Sequence, residues 1–476
     1  MQNDDGVGMK VDLAAIGGGF AGLTAAVRAA ELGLEAVAIE RGDGEAYMCN
    51  SRVCTGVLHT ALANAGDPPD IVYERVMNGT KGTARSDLAR TFAENGTRTS
   101  AWMEAHGATL ETVPRRNYGL PSLAPVRRMG AGLDWEGNGP DLFLRNLATQ
   151  LETAGGTVLR GTEARALVME DGACRGVEVR DANGGRTIEA GAVVIADGGF
   201  QADRELLARH IARRPDRIRQ RNTETGRGDG LRMAEKAGAA LVGLDKFYGH
   251  VLSRDVMSNP ELWPYPQVDV ICASGIAVGA DAKRFADEGR GGVYIANEIA
   301  RLDDPLGATA IFDSTVWEQA READLVPPNP LLVEAGGTLH TAGSIGELAL
   351  RCGLDTGTLE TTVAAFNAAV KDARTDTLTP ARTTETYASM PIETPPFHAI
   401  PLAAGITVTM GGVAVDSAAR VLKPDDTPIP GLYAAGSTVG GVEGGPDAAY
   451  IGGLIKAFLL GLVAAETAAR EIEAAN

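Results

Sequence analysis

Residues 11–40 constrain this chain more tightly than any other stretch. Val11 to Ile16 is a short apolar run, the pattern of a buried parallel strand. Gly17-x-Gly19-x-x-Gly22 follows, then Ala-rich Leu23 to Leu32, a good helix former that Gly33 can stop. Leu34 to Ile39 is a second apolar run ending at Glu40. Together they predict a complete βαβ unit, and each conspicuous residue has a physical task in it. Gly17 permits a tight turn, Gly19 lets backbone approach a pyrophosphate, and Gly22 lets helix and strand pack closely. The helix N-terminus offers free N–H groups and a positive dipole end to phosphate. Glu40, at the end of the second strand, can accept hydrogen bonds from ribose hydroxyls. A dinucleotide site is therefore expected, with Phe20 and Ala21 inside the turn and Arg41 beside the acid. An ordinary Gly-rich turn would leave the position of Glu40 unexplained.

Beyond this unit, 140–154 reads as an amphipathic helix, followed by short strands near Thr157–Leu159, Ala166–Glu170 and Gly176–Arg180. Asp171-Gly172 marks a hairpin turn between the last two. Ala192 to Ala196 is another buried strand, Gly431 to Gly436 a final core strand, and Ile451 to Ala465 the start of a buried closing helix. Residues 1–9 read as a loose tail, and the basic run Arg209 to Arg221 as a solvated helix face. Residues 248–408 are richer in Pro and lack Gly-rich nucleotide signatures, the texture of an inserted second domain. At 476 residues, two domains are the starting expectation.

A formal net charge of −18 argues against nucleic acid or an anionic membrane as partner. The five cysteines have no paired spacing, so a reducing, cytoplasmic compartment is expected, without attached haem or a Cys-rich zinc site, and no metal is assigned. Residues 1–10 carry neither a twin arginine nor an apolar core, and the apolar stretch from Ile451 is too short to span a bilayer, so neither export nor a membrane span is expected.

Several segments carry a specific resemblance. Thr225-Gly-Arg-Gly-Asp-Gly-Leu-Arg-Met-Ala-Glu-Lys-Ala-Gly238 resembles TGxGDGxxMAxxAGA, and Val194-Ile-Ala-Asp-Gly-Gly-Phe200 resembles VLATGGF with Asp197 as a variant. Gly431-Leu-Tyr-Ala-Ala-Gly436 resembles GLYAAGE, and Thr409-Met-Gly-Gly-Val413 resembles TMGGV. These are motifs of the fumarate reductase/succinate dehydrogenase flavoprotein superfamily, which includes urocanate reductases and 3-ketosteroid dehydrogenases, and they run in family order. The resemblance implies an α/β fold: a Rossmann-like FAD-binding domain in two segments, 1–247 and 409–476, with an inserted α+β capping domain, 248–408. It implies FAD contacts at Asn50, Ser51, Thr55, Gly56, Ala164, Asp229, Gly436, Gly453 and Leu454. Relatives with covalent FAD use a His after the second strand, where this chain reads Tyr47-Met-Cys-Asn-Ser-Arg52, so noncovalent FAD is expected.

FAD carries hydride, and the protein must orient the substrate and move the accompanying proton. The resemblance implies an Arg after an RFxNE segment. Arg290 is the nearest counterpart, in Arg284-Phe-Ala-Asp-Glu-Gly-Arg290, with Arg301 as fallback and a surface Arg in a polar loop as the plain alternative. His250 stands where the family has a substrate-binding His, though a core or surface His is an equal alternative. The carboxylate-clamping Arg of fumarate reductases is replaced by Tyr450, and Tyr cannot reproduce a bidentate Arg–carboxylate pair. A C4-dicarboxylate is thus disfavoured. Tyr450 resembles the tyrosines of the ketosteroid dehydrogenase branch, with Tyr118 or Tyr248 as a second proton-transfer candidate, though Tyr118 reads more simply as loop packing. The implied reaction is dehydrogenation or reduction of a C–C bond next to a carbonyl in a small molecule, with an electron donor or acceptor that the sequence does not name. The rivals are a fumarate- or urocanate-type reductase, an FAD-linked oxidase acting on C–O or C–N bonds, and an electron-entry subunit without a substrate of its own.

Overall fold

The computed structural model describes residues 9–112, 119–127, 130, 134–323 and 326–475. Of the expected tail only Met9 falls within them, and it already opens the first strand. That strand, β1 (Met9–Ile16), leads through the glycines into α1 (Phe20–Glu31) and β2 (Ala36–Ile39). Then come α2 (Gly139–Thr153), β3 (Thr157–Leu159) and a hairpin of β4 (Glu163–Glu170) and β5 (Ala173–Asp181). The hairpin turns at Asp171-Gly172 with φ of 49° and 78°, as a tight primed turn requires. β6 (Gly184–Ile195) and α3 (Asp229–Lys236) follow.

The next strands build a second sheet: β7 (Phe247–Ser253), β8 (Ile276–Val278), β9 (Thr309–Asp313) and the thirteen-residue β10 (Phe397–Thr409). The chain then returns to the first sheet with β11 (Pro428–Ala434) and ends in α4 (Gly453–Ala475).

In the first sheet the order is Arg420–Leu422, β11, β6, β1, β2, β3, parallel from β11 through β3, with the β4–β5 hairpin attached to β6. The apolar runs that predict β1, β2 and β6 are buried, as suits parallel strands covered on both faces. Register fixes what happens at the strand ends. Ile16 pairs with both Ile39 and Ile195, and Ile195 with Ala434, so four carboxyl ends lie level. In such sheets ligands bind outside those ends. Helices α1 and α4 pack on each other, Phe20 against Phe458 with ring centroids 4.7 Å apart.

The second sheet pairs β7 with β10, β10 with β9 and β9 with β8, all antiparallel. Its long strand β10 also takes Arg219–Gln220 in parallel, a piece of chain that precedes the insert. The architecture is a Rossmann-like α/β layer joined to an α+β unit.

The basic run 209–221 is not one solvated helix. The helix there, Arg204–His210, stops well before Pro215, where a 3-10 turn begins. Ile211, Ala212 and Ile218 are buried, and so is Arg221. Among the described residues no helix is long and apolar enough to cross a membrane.

Candidate active site

A cavity of about 1130 Å³ is lined by the residues that end β1, β2 and β6 and by side chains from β7. That exceeds the ~300–1,000 Å³ of ordinary small-molecule sites and leaves room for a dinucleotide beside a second ligand. Gly17, Gly19, Phe20 and Ala21 form its floor. Gly17 has φ +113°, and a Cβ there would stand 2.5 Å from the Ala196 carbonyl oxygen. Gly22 does not line the cavity. A Cβ on it would overlap the Gly17 carbonyl, so its absence seats α1 against the turn. Helix α1 begins at Phe20 behind Gly19, which has no side chain to cap it; Ser51 takes only the Phe20 N–H, so the positive end still faces the cavity.

Glu40 lines the cavity and also shapes the loop: its Oε2 accepts the Gly18 N–H at 2.9 Å and its Oε1 the Gly42 N–H at 2.6 Å. Burial holds its carboxyl above the usual range, against those two hydrogen bonds. Arg41 pairs with Asp229 at 3.1 Å and donates to the Thr225 carbonyl at 2.8 Å, tying the end of β2 to the start of α3. Asn50 accepts from the Thr223 N–H and hydroxyl at 3.1 and 2.9 Å, and Ser51 Oγ accepts the Phe20 N–H at 2.9 Å. Thr55, Ala164, Gly436, Gly453 and Leu454 complete the set on the wall. Gly56 lies outside it, packed against Pro140 and Leu123, with its carbonyl accepting the Leu123 N–H at 2.9 Å.

These features fit FAD: an uncapped helix end for pyrophosphate, an acid at the second strand, and backbone bared by glycine where Cβ atoms could not stand. Asp197, the departure from the VLATGGF pattern, stands half-buried beside them on the cavity wall. Its Oδ2 accepts the Gly230 N–H at 2.7 Å, and Thr438 donates to Oδ1 at 3.2 Å. Burial pushes its carboxyl up to about 6, and the Asp229 charge adds to the effect.

The opposite wall is made of side chains. Tyr248 and His250 stand two residues apart on β7 and so share a face. His250 Nδ1 lies 2.5 Å from Asp269 Oδ2, and Nε2 lies 3.0 Å from the Tyr248 hydroxyl. Asp269, at the first position of the helix Asp269–Ser274, is fixed in turn by the Val251 N–H at 2.7 Å. Assigned from this network, Nδ1–H donates to the carboxylate and Nε2 accepts from the tyrosine. Burial lowers the His250 pKa, against the pull of Asp269, which keeps the imidazole neutral and Nε2 an acceptor.

Tyr450 stacks on Tyr248, with centroids 3.6 Å apart and ring planes within 11°. Its oxygen accepts the Gly453 N–H at 2.6 Å, leaving its own hydrogen free to donate. Burial raises the pKa of both phenols, so both rest as O–H donors. His59 meets Tyr450 edge-on at 5.5 Å, and burial lowers its pKa to about 4.

The structure separates the two arginine candidates. Arg290 lines the cavity, paired with Asp447 at 3.0 Å and with Asp287 at 3.3 Å. Arg301 pairs with Asp245 and Glu298 and does not line it. Tyr118 lies outside the described residues. Asp269, Arg127, Arg221 and Tyr265 stand in this wall without having been singled out from sequence. Arg221 was lost in the basic run, and nothing local marks Asp269 or Arg127.

Comparison with known proteins agrees with this geometry. The family model described as "FAD binding domain" matches residues 12–448. The chain is 27% identical to the NADH:fumarate oxidoreductase of Klebsiella pneumoniae (strain 342) over 450 residues, covering 93% of this chain and 46% of that protein. It is 29% identical to the NADH:acrylate oxidoreductase of Vibrio harveyi over 402 residues, covering 82% of this chain and 38% of that protein. It thus spans less than half the length of either relative. Among solved structures, the 3-ketosteroid-delta4-(5alpha)-dehydrogenase from Rhodococcus jostii RHA1, in complex with 4-androstene-3,17-dione, superposes with a TM-score of 0.73 at 21% identity, covering 98% of each chain. That likeness is one of fold.

Proposed function

This chain belongs to the FAD-binding flavoprotein superfamily of the fumarate reductases, and from that premise we propose that it is an FAD-dependent oxidoreductase acting on a C–C bond adjacent to a carbonyl. The observation that carries the reading is the Asp269–His250–Tyr248 line of hydrogen bonds reaching a cavity that fits FAD. When bound, FAD supplies the hydride acceptor or donor. Gly17, Gly19, Glu40, Asn50, Ser51 and the amino end of α4 would hold it, without a covalent link.

The chain's own groups move the proton and bind the carbonyl. The Tyr248 hydroxyl gives its proton to the substrate carbon in the reducing direction or takes one in the oxidising direction. His250 Nε2 hydrogen-bonds that hydroxyl and exchanges the proton with it. Asp269 holds the imidazole in the tautomer that leaves Nε2 free, the logic of a base oriented by a third group. The free hydrogen of Tyr450 donates to the substrate carbonyl and so acidifies the neighbouring C–H. Arg290, held by Asp447 and Asp287, supplies positive charge at the rim rather than the moving proton.

The same reading divides the chain into an FAD unit, 1–247 with 409–476, and a substrate unit, 248–408. It is supported by a second sheet drawn mainly from Phe247 to Thr409, although Arg219–Gln220 joins it from outside. A small carbonyl compound as substrate, an external electron donor or acceptor, and a cytoplasmic location belong to the reading as well. Reduction of an unsaturated acid is the second reading, favoured by the similarity to fumarate and acrylate oxidoreductases of two bacteria.

The test is anaerobic titration of the purified flavoprotein with saturated cyclic ketones and, after chemical reduction, with their unsaturated counterparts and with fumarate. Bleaching by a ketone, or reoxidation by an enone, supports the reading. Reoxidation by fumarate alone would move the assignment to the second. Peroxide formed from alcohols, with no response to any ketone, would overturn both.

A further inference from the structure

Among the described residues, two arginines in the cavity wall have no acidic partner within ion-pair distance. Arg127 is 3% exposed and Arg221 is 8% exposed, and both line the cavity. Most other buried arginines here are matched: Arg52 by Asp141, and Arg284 by Glu288. Among the described residues neither Arg127 nor Arg221 forms an ion pair. Arg127 donates once, from Nη1 to the Val53 carbonyl at 3.1 Å, and its buried Nε has no partner at all. Arg221 donates from Nε to the Pro264 carbonyl at 3.0 Å and from Nη1 to the Thr407 hydroxyl at 2.9 Å.

Both guanidinium groups approach the same ring, that of Tyr265, at 5.5 and 4.8 Å from its centroid. They are close enough that the charge of Arg221 opposes that of Arg127. A ring face eases the loss of water around a cation only in part. Two like charges taken out of water side by side, with donors to spare, are costly unless an anion answers them. Arg221 also acts on Tyr248 and His250, and these side chains line the same cavity as Arg127 and Tyr265.

We propose that Arg127 and Arg221, both packed on Tyr265, form a subsite for a carboxylate on the non-reacting end of the substrate. This subsite rests on the proposed function for the identity of the cavity, and it differs from the clamp that Tyr450 replaces, because its residues come from other segments of the chain. One carboxylate offers two oxygens to two forks of donors, the arrangement in which arginine recognises anions best. The walls beside it, Trp263, Tyr265 and Tyr387, suit an apolar or cyclic body. The substrate class is then a monocarboxylate in which the anion lies away from the bond that reacts.

The probe is cyclohexanecarboxylate against its uncharged carboxamide, titrated into the FAD-loaded protein while perturbation of the flavin visible band is followed. The acid is expected to saturate and to bind at least tenfold more tightly than the amide. R127Q and R221Q are each expected to weaken the acid by tenfold or more and leave the amide unchanged. FAD affinity, measured by reconstituting apoprotein, should not move in either variant. R221K serves where R221Q does not fold, because it keeps the charge but loses the fork, and an intermediate loss is expected. Equal binding of acid and amide would overturn the subsite. Loss of FAD in place of loss of the acid would also overturn it, by giving the arginines to the cofactor. Tight binding of the acid, with no ketone or enone ever exchanging electrons with the flavin, would uphold the subsite and sink the proposed reaction instead.

Discussion

The two sides of the cavity are built on different principles. The cofactor side is backbone: a turn bared of Cβ atoms, two helix starts, and strand ends held level by Ile16, Ile39 and Ile195. The substrate side is side chains, gathered from Arg127, Arg221, Tyr248, Asp269 and Tyr450 over more than half the chain. A backbone site tolerates change in most of its residues and none in a few. A side-chain site can lose one member and keep its shape. The two should therefore fail differently when mutated.

The largest effect is expected at Gly17. A valine there meets the Ala196 carbonyl and the Asp197 Cα, in a region of φ that β-branched residues avoid. G17V should weaken FAD by about 100-fold or more, read as flavin content after purification and by reconstitution titration. Normal flavin content in that variant would mean that the cofactor does not lie against the turn.

Next in size is Y248F, which keeps the ring stacked on Tyr450 and removes only the hydroxyl. The rate of flavin bleaching by a ketone should fall by about 10²–10⁴-fold, the range of a lost acid–base group, with FAD content unchanged. A drop in flavin content would erase the distinction between the two sides.

Legibility from sequence followed the same division. The cradle lies in contiguous motifs, so Gly17, Gly19, Glu40, Asn50 and Asp229 could be read residue by residue, and the βαβ unit with them. Gly22, expected among the cofactor residues as well as in packing, lies off the cavity and only seats α1 against the turn. The wall depends on long-range pairing. His250 was legible through the resemblance of its segment, and Tyr248, two residues before it, as a second tyrosine candidate. Asp269 reaches them only because its short helix packs behind β7, and no local pattern announces that. Arg221 was hidden because its charge matched its neighbours, while Pro215 and the pairing of Arg219–Gln220 with β10 carry it inward. Composition marks a surface only while the chain stays on it.

Asp269 offers a smaller test of the wall. It reaches the cavity wall, and in the proposed reading it acts through His250, as a positioning residue. D269N removes the charge that fixes the Nδ1–H tautomer and should slow bleaching by roughly 10–100-fold, as outer partners of a working His usually do. The apparent affinity for the ketone should hold. D269E, which keeps the charge, should recover part of the rate. Equal loss in both variants would reduce Asp269 to a packing role beside Gly292.

The smallest effect tests the one place where the cofactor side poses a side-chain problem. Asp197 is half-buried with its carboxyl pushed up to about 6, chiefly by loss of water. Its ordinary value, ~3.9, applies to the unfolded chain. The folded state therefore holds the proton more tightly than the unfolded one. Stability from this group is complete below about pH 4 and is lost as pH rises through about 6. Asn in its place keeps an oxygen for the Gly230 N–H and carries no charge. The FAD-free D197N protein should then melt higher than the parent at pH 8, by about 1–3 °C for a chain of this size, and the two should converge near pH 4. If the gap were the same at both values, the carboxyl would be ionised at low cost and Asp197 would be a polar tether no different from the threonine of the family pattern. If D197N melted lower at pH 8, the charge itself would be stabilising, and the positive end of a neighbouring helix would have to be counted into the cradle.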